Sequence, residues 1–330
     1  MRCLVTGGAG YIGSHVAQAL IDSGHKVTVL DNLSTGHIEA IPKGASFERL
    51  DLIERDRLNN FLTRGKWDVA LHFAALSLVG ESVTHPYYYL KQNLITSINL
   101  IEACVANNIK KIIFSSTAAL FDNTHPSPSP IKSDSPINPA SPYGESKFFV
   151  EKTLKWAEKI HNLRYASLRY FNAAGADPLG RLGEDHQPET HLLPIAIDAA
   201  LGRRPPLRLF GTDYPTPDGS CIRDYIHVSD LADAHLRAIS QINNRSVTYN
   251  LGNGRGFSNL EIIKSVERVS GRKVPWIPAE RRLGDPPILI ADSTEIKKET
   301  GWTPRFSDID EIVRTAFTWR EKHPDGYRSP

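Results

Sequence analysis

Cysteine is almost missing from this chain: Cys3, Cys104 and Cys221 are the only three in 330 residues. An odd number at wide spacing fits neither a disulfide framework nor a metal site, and no metal is expected. Cys3 reads as packed in a first strand and Cys104 as part of a helix, small buried residues rather than nucleophiles. Excess charge is missing too: the formal net charge is +2, with no long block of one sign. That argues against a nucleic-acid or polybasic membrane surface. No apolar run is long enough to span a bilayer. The N-terminus opens directly on a core-like strand with no room for a signal peptide, so a cytoplasmic location is expected. No internal repeat is apparent. What the chain has is length: 330 residues bury a large core and are long for one compact unit, which suggests one large domain plus a smaller one.

The opening stretch, MRCLVTGGAGYIGSH and then KVTVLDN, reads as strand, glycine-rich turn, helix and second strand. Leu4 and Val5 belong to the first buried strand and residues 27–30 to the next, which Asp31 closes. This is the layout a dinucleotide requires. Gly7 permits the tight turn, Gly10 lets the backbone approach a pyrophosphate, and Gly13 lets the helix pack on the strand, with its N-terminal amides facing the phosphates. Asp31 can bind the adenosine ribose hydroxyls. A carboxylate there repels a 2′-phosphate, and no arginine follows closely to compensate, so NAD is favoured. The spacing G-x-x-G-x-x-G resembles that of the short-chain dehydrogenase/reductase superfamily.

Up to about residue 172, short apolar runs alternate with helix-period segments. The reading predicts strands at 3–6, 27–30, 46–49, 69–73, 111–115 and 165–170 and helices at 11–23, 55–64, 88–107 and 144–161. That alternation argues for an α/β fold with a Rossmann-type, doubly wound parallel sheet. Residues 125–142 are rich in proline and serine and are expected to form a long ordered loop rather than a linker, because the residues just after them look catalytic. Beyond Gly175 the pattern loosens into a smaller domain, giving a division into 1–174 and 175–330. In YIHVSDLADAHLRAI, Val228 is expected to end a strand, Ser229 to cap, and residues 231–239 to form an amphipathic helix. The segment around 223–248 is expected to return to the first domain.

SPYGESK carries Tyr143 and Lys147 as Y-x-x-x-K, one helical turn apart on one face. A tyrosine phenol is a poor base at neutral pH, and a nearby ammonium is expected to lower its pKa. Lys147 can also hold a nicotinamide ribose. The spacing alone is common on exposed helices; joined to the glycine turn it gains weight. The strand KIIFSSTAAL ends in Ser115, Ser116 and Thr117. Strand ends in such sheets face the ligand crevice. Ser115 and Ser116 are as well explained as strand caps, and Thr117 is the favoured bridge between substrate oxygen and phenolate.

These elements resemble the extended short-chain dehydrogenases/reductases. LHFAALSLVGES, LRYFNAAGA, LFGTDYPTPDGSCIRDYIHVSDLADAH, YNLGNG, RRLGDPP, GWTPRF and HPDGY extend the likeness, over essentially the whole chain, to the UDP-glucose 4-epimerase family. The resemblance implies that Tyr11, Ile12, Asp31, Asn32, Asp51, Leu52, Phe73, Ala74 and Ala75 contact NAD beside the three glycines, with Phe171 by the nicotinamide. It implies that Thr117 and Tyr143 are the catalytic pair and that Lys147 supports cofactor and phenolate. Asn172, Leu192, Phe210, Arg223, Arg282, Asp285 and Leu289 are then the UDP-sugar residues. Two arginines suit a diphosphate clamp, although Arg223 can instead pair with its neighbour Asp224. The implied reaction is inversion at C4 of a UDP-hexose through a transient 4-ketosugar, with no net use of NAD and with closure of the smaller domain keeping the ketone in place.

The chain departs from the family's usual pattern at Phe121 and Asp122, where a tyrosine–glycine pair is common, at Gln92, where asparagine is usual, and at Ser77, which is lysine in some members. Sugar-nucleotide dehydratases carry an acidic pair directly after the catalytic threonine. Ala118 and Ala119 stand there, so dehydration ranks low, as does decarboxylation of a UDP-uronate. A non-catalytic NAD-binding redox sensor of the same fold usually lacks the tyrosine–lysine pair retained here. In the family a tyrosine at the position of Leu289 goes with plain hexoses and a small residue with N-acetylhexosamines. Leu289 lies between, so the lead is glucose/galactose, with N-acetylhexosamine, dual or pentose (xylose/arabinose) specificity as alternatives. A homodimer through the helices at 88–107 and 144–161 is expected by the same resemblance.

Overall fold

The computed structural model describes residues 1–121, 130–282 and 285–327. The first half alternates as expected: β1 (Arg2–Thr6), α1 (Tyr11–Asp22), β2 (Lys26–Asp31), β3 (Ser46–Arg49), α2 (Arg55–Thr63), β4 (Val69–His72), α3 (Val79–Thr84), α4 (Pro86–Ala106), β5 (Lys111–Thr117), α5 (Pro142–His161) and β6 (Arg164–Tyr170). The six strands and four helices read from the sequence are all present; the short α3 is an addition, and β5 runs two residues further, to Thr117. The second half holds β7 (Asn172–Ala174), α6 (Leu192–Ala200), β8 (Leu207–Phe210), β9 (Ile222–His227), α7 (Val228–Gln241), β10 (Val247–Leu251), β11 (Gly256–Ser258), α8 (Asn259–Ser270), β12 (Trp276–Ala279), β13 (Ile288–Leu289), α9 (Thr294–Thr300) and α10 (Ile309–Lys322).

The main sheet has seven parallel strands in the order β10-β6-β5-β4-β1-β2-β3. The unbroken buried runs of β1 and β4 follow from cover on both faces. Successive side chains of a strand point to opposite faces, and the core divides accordingly. Cys3, Val5, Val27, Val29, Val69 and Leu71 pack against Val16 and Leu20 of α1 and Leu231 and Ala238 of α7. Leu4, Leu30, Ala70, Ile112 and Phe114 pack on the other side against Leu58 of α2, Leu100 of α4 and Leu154 of α5. All three cysteines are free and buried, and burial pushes the Cys3 thiol up to about 11 and the Cys104 thiol up to about 12, which leaves neither reactive.

A four-stranded sheet sets β11, β13 and β7 against β9, and β8 pairs with β12. Their core lies among α6, α8 and α10. The strand before α7 ends at His227, and Val228 already belongs to the helix. The cap also differs from the expectation: the His227 ring accepts the Ser229 N–H at 3.1 Å. An imidazole in the preceding position has filled the place usually taken by a short hydroxyl. The described part of the proline-rich segment is ordered. Ile131 N–H donates to Ile290 at 2.8 Å, Asp292 N–H donates back to Ile131 at 2.8 Å, and Asn138 N–H donates to Leu120 at 3.0 Å. Asp122 and residues 125–129 lie outside the described residues.

Candidate active site

Strand order reverses between β1 and β4, and a crevice opens beyond the carboxyl ends of the strands there. It contains a cavity of about 1000 Å³, at the upper end of the range for small-molecule sites. One end is walled by the glycine turn. Gly7 adopts φ +73°, and a Cβ on it would meet the Ala74 backbone nitrogen at 2.4 Å, so only glycine is accommodated there. A Cβ on Gly13 would meet the Gly7 carbonyl at 2.2 Å, so Gly13 serves the turn's own closure as much as helix packing. Gly10 differs: its Cβ would meet nothing closer than 3.4 Å, and the residue lines the cavity. The space that glycine leaves there is space for a ligand.

Asp31 closes β2 and is held by the Ala9 N–H at 3.0 Å and the Leu33 N–H at 2.8 Å. Burial raises its pKa, and these amides oppose the rise. Asn32 donates to Asp51 at 2.8 Å, which orients both. The wall here runs through residues 30–32, 34–36 and 50–53, which contain no basic side chain. It suits a free ribose 2′-hydroxyl and has nothing to neutralise a 2′-phosphate. Tyr11, Ile12, Leu52, Phe73, Ala74 and Ala75 complete this half. The glycine space, the Asp31 carboxylate and the apolar flanks fit NAD.

Thr117, Tyr143 and Lys147 also line the cavity, as does Phe171. Thr117 ends β5, and its hydroxyl accepts the Ala119 N–H at 3.1 Å. Ser141 caps α5 through the Gly144 N–H at 3.2 Å, and Pro142 occupies the first turn. A Cβ on Gly144 would meet the Ala119 carbonyl at 2.4 Å. Glycine therefore lets α5 begin against the turn that follows Thr117. Lys147 is 3% exposed. Its ammonium donates to the Ser115 carbonyl at 2.9 Å and lies 5.8 Å from the Tyr143 ring centre. Ser116 turns away and donates to buried Glu151 at 2.7 Å, a structural role.

The expected lowering of the phenol pKa is not delivered by the protein alone. Burial pushes Tyr143 up to about 12, and the Thr117 hydroxyl opposes the rise only in part. Burial also brings Lys147 down to about 7. Desolvation outweighs the ammonium's field because that ammonium is directed at a carbonyl and is itself hard to keep charged.

The far end is lined by Asn172, Arg223, Asp285, Pro286 and Leu289. Arg223 donates to the carbonyls of Ile222 at 3.0 Å and Pro286 at 2.8 Å, with Asp285 at 3.8 Å. It does not pair with Asp224. Neighbouring residues of β9 face opposite ways, and the Asp224 carboxylate accepts the N–H groups of Asn253, Gly254 and Ala291 at 2.8, 3.0 and 3.1 Å. Three residues expected at the site lie outside the lining: Leu192, Phe210 and Arg282. Leu192 packs against the α6–α8 core, and the Arg282 guanidinium rests 4.0 Å from the Phe210 ring centre, a stacking contact that turns both toward each other. Ser77 and Gln92 line the cavity. Asn93 lines it too and ties residue 76 to α5, through Leu76 and Ser146 at 3.0 Å each. Missed from the sequence were His186, Gln187, Pro188 and His191, which line the cavity between β7 and α6. The signal was present as Glu184-x-His186-x-x-Glu189-x-His191.

A nucleotide-binding doubly wound fold with a tyrosine–lysine pair at its crevice is the architecture of a dehydrogenase-like enzyme. The chain belongs to the NAD dependent epimerase/dehydratase family, whose model matches residues 3–252. A UDP-glucose 4-epimerase of Lacticaseibacillus casei is 46% identical over 329 residues, covering 99% of each protein. A solved UDP-glucose 4-epimerase is 44% identical, with a TM-score of 0.96 over 100% of both chains. The UDP-glucose 4-epimerase of Bifidobacterium longum, solved in complex with NAD+ and UDP, is 35% identical with a TM-score of 0.94 over 99% of this chain and 100% of its own.

Proposed function

We propose that this chain interconverts UDP-galactose and UDP-glucose by inverting C4 on an NAD that it keeps bound. The observation that carries the reading is that Thr117, Tyr143 and Lys147 line the same cavity as the dinucleotide cradle and as Asn172, Arg223 and Asp285. When bound, NAD supplies an acceptor and donor for the C4 hydrogen and a positive ring whose field favours the Tyr143 phenolate. The chain's own residues do the rest. The glycine turn with Tyr11 and Ile12 would cradle the pyrophosphate, Asp31 and Asn32 would hold the adenosine ribose, and Asp51 and Leu52 would flank the adenine. Phe73, Ala74, Ala75 and Phe171 would wall the cofactor, and Lys147 would support its nicotinamide ribose. Tyr143 Oη takes the proton of the sugar 4-hydroxyl and returns it, with the Thr117 hydroxyl holding the oxygen in line. Asn172, Arg223 and Asp285 anchor the UDP while the ketosugar turns. Leu192, which follows His191 along the chain, and the Arg282–Phe210 pair are assigned to the nucleobase end. Ala118 and Ala119 offer no acid or base for eliminating water, which favours epimerisation over dehydration.

The test is turnover without added NAD, with UDP-galactose, UDP-N-acetylgalactosamine and a UDP-pentose supplied separately and the C4 epimers separated by chromatography. Conversion of UDP-galactose alone is expected, with Leu289 excluding the acetamido group. Conversion of both hexose substrates makes the enzyme dual in specificity. Failure on all three with NAD bound sinks the epimerase reading in favour of a sensor.

The same reading divides the chain into a cofactor unit, 1–174 joined by about 223–248, and a UDP-sugar unit in the remainder of 175–330. It is supported by β10 lying in the main sheet and α7 packing with α1. It also pairs two copies through α4 and α5, where Tyr87, Phe149, Trp156 and Ile160 are 85%, 46%, 61% and 60% exposed, apolar exposure that an association surface would cover. Sedimentation should give twice the chain mass of 36.7 kDa, falling to the single mass in Trp156→Glu. A cytoplasmic location completes it, supported by three thiols kept free and buried. No described helix is long and apolar enough to cross a membrane.

A further inference from the structure

Four side chains at the cavity wall converge on one point. Glu184, His186, Glu189 and His191 each present one ligand-type atom, and these atoms all lie within 4.8 Å of one another. His186 Nδ1 is 3.3 Å from Glu184 Oε1 and 3.7 Å from Glu189 Oε2, and His191 Nδ1 is 3.4 Å from Glu189 Oε1. Four ligands held tetrahedrally at about 2.0–2.1 Å from a central ion stand about 3.3 Å apart, so the two spacings from His186 are already near those of a filled site. Only the His191–Glu184 contact, at 2.6 Å, is a hydrogen bond that must open.

A second observation points the same way. The Glu184 and Glu189 side chains are 7% and 8% exposed, and Glu189 Oε2 and His186 Nδ1 are buried with no hydrogen-bond partner. Burying polar atoms in that state is costly. The unpartnered atoms belong to the two groups that face each other across the cluster. The carboxylate is also pre-set: Glu189 Oε1 accepts the N–H groups of Thr190 and His191 at 2.8 and 2.9 Å, which fixes Oε2 inward as outer-sphere bonds fix a metal-ligating carboxylate. The His186 ring is braced edge-on by Tyr11 at 6.2 Å between centres.

We propose that Glu184, His186, Glu189 and His191 bind one divalent transition-metal ion of the zinc class. Two imidazoles with two carboxylates suit zinc or cobalt, whereas magnesium and calcium prefer all-oxygen sets. The ion clasps the segment between β7 and α6 to the helix that starts at Tyr11, next to the cofactor cradle and outside the reacting atoms. Ligation replaces the proton that His191 shares with Glu184, so the site needs both Nδ1 atoms unprotonated.

The test uses the full chain with its NAD, stripped by a strong chelator and titrated with Zn2+ by calorimetry, with Mg2+ as control. The expected result is one Zn2+ per chain with micromolar or tighter affinity and no Mg2+ binding. Glu189→Gln and His186→Asn should each weaken binding at least tenfold while far-UV circular dichroism stays unchanged. Co2+ in the wild-type chain should give an intense tetrahedral visible band, and X-ray absorption should count two imidazoles and no sulfur. That measurement decides even where a variant fails to fold. Absence of stoichiometric Zn2+ binding leaves the cluster an ion-pair network and overturns the proposal, as does equal affinity in both variants or a different ligand count.

Discussion

At Tyr143 the protein does not supply the base that the chemistry needs. A phenol at about 12 beside a lysine at about 7 is a resting pair, and the field of a cationic cofactor must complete it. Tyr143→Phe removes the proposed proton acceptor and leaves the glycine turn untouched. Turnover should fall by about 10²–10⁴-fold, the usual worth of a positioned acid–base group, while NAD remains bound on the purified protein by absorbance. A variant that keeps wild-type turnover would displace Tyr143 from the reaction. A few residues further along α5 a different economy holds. Glu151 and Arg169 are 3% and 4% exposed at the side chain and joined by a contact of 2.6 Å. The Arg169 guanidinium also donates to the Ser133 carbonyl at 2.8 Å, and Ser116 donates to Glu151. Glu151→Ala leaves a buried guanidinium unpaired and should cost about 3–5 kcal/mol, read as a lower urea midpoint, with Thr117 and Tyr143 loosened because β5, β6 and α5 meet there.

The start of α5 is where local sequence sets catalytic geometry. Gly144 admits the Ala119 carbonyl at a distance no Cβ tolerates. Gly144→Ala must push the helix away from the turn after Thr117, at a cost of about 1–3 kcal/mol for overpacking. A small shift at reacting groups is enough to cost about 10²-fold in rate, so kcat should fall more than the melting temperature suggests. A variant with full kcat would show that the close approach is not needed. This glycine was not legible as a site residue in the sequence, whereas Gly7, Gly10 and Gly13 were, because their spacing follows a strand and opens a helix. The strands and helices around them could be read from apolar periodicity, which reports faces covered by neighbours. What could not be read depends on partners distant in sequence. Phe210 and Arg282 stack on each other across 72 residues, Arg223 points away from its own neighbour Asp224, and His227 caps α7 in place of a short hydroxyl. The quartet from Glu184 to His191 lay in plain view as a spacing, but only the fold shows its four side chains turning to one centre.

Over the whole molecule, buried histidines set the response to acid. His15, His72, His227 and His235 are each at most 4% exposed. Burial brings His15 and His235 down to about 4 and His72 and His227 down to about 3. An unfolded histidine titrates near 6.5. Between about pH 4 and 6.5 the unfolded chain therefore binds a proton at each position that the folded chain refuses, and stability falls as pH falls, by about 1.4 kcal/mol per pH unit for each group. Asp224 works the other way. Burial raises it to about 6, so the folded chain gains its proton first as pH drops, and Asp31 and Asp230 are raised in the same direction. Asp310, held below its ordinary value by the Arg268 guanidinium, adds to the loss in acid. With four histidines on one side, the balance from pH 6.5 to 5 is a loss. Urea midpoints should fall steadily below pH 6.5. His235 sits between the Phe73 and Tyr170 rings at 5.1 and 5.7 Å, with one ring nitrogen bonded to the Leu231 carbonyl at 2.8 Å and the other unpartnered. His235→Leu keeps most of the volume and removes one titrating group, so its acid slope should be shallower than that of the wild type by one histidine's share. Equal slopes in the two proteins would take His235 out of the account, and a wild-type midpoint that stays level down to pH 5 would contradict the buried-histidine explanation as a whole.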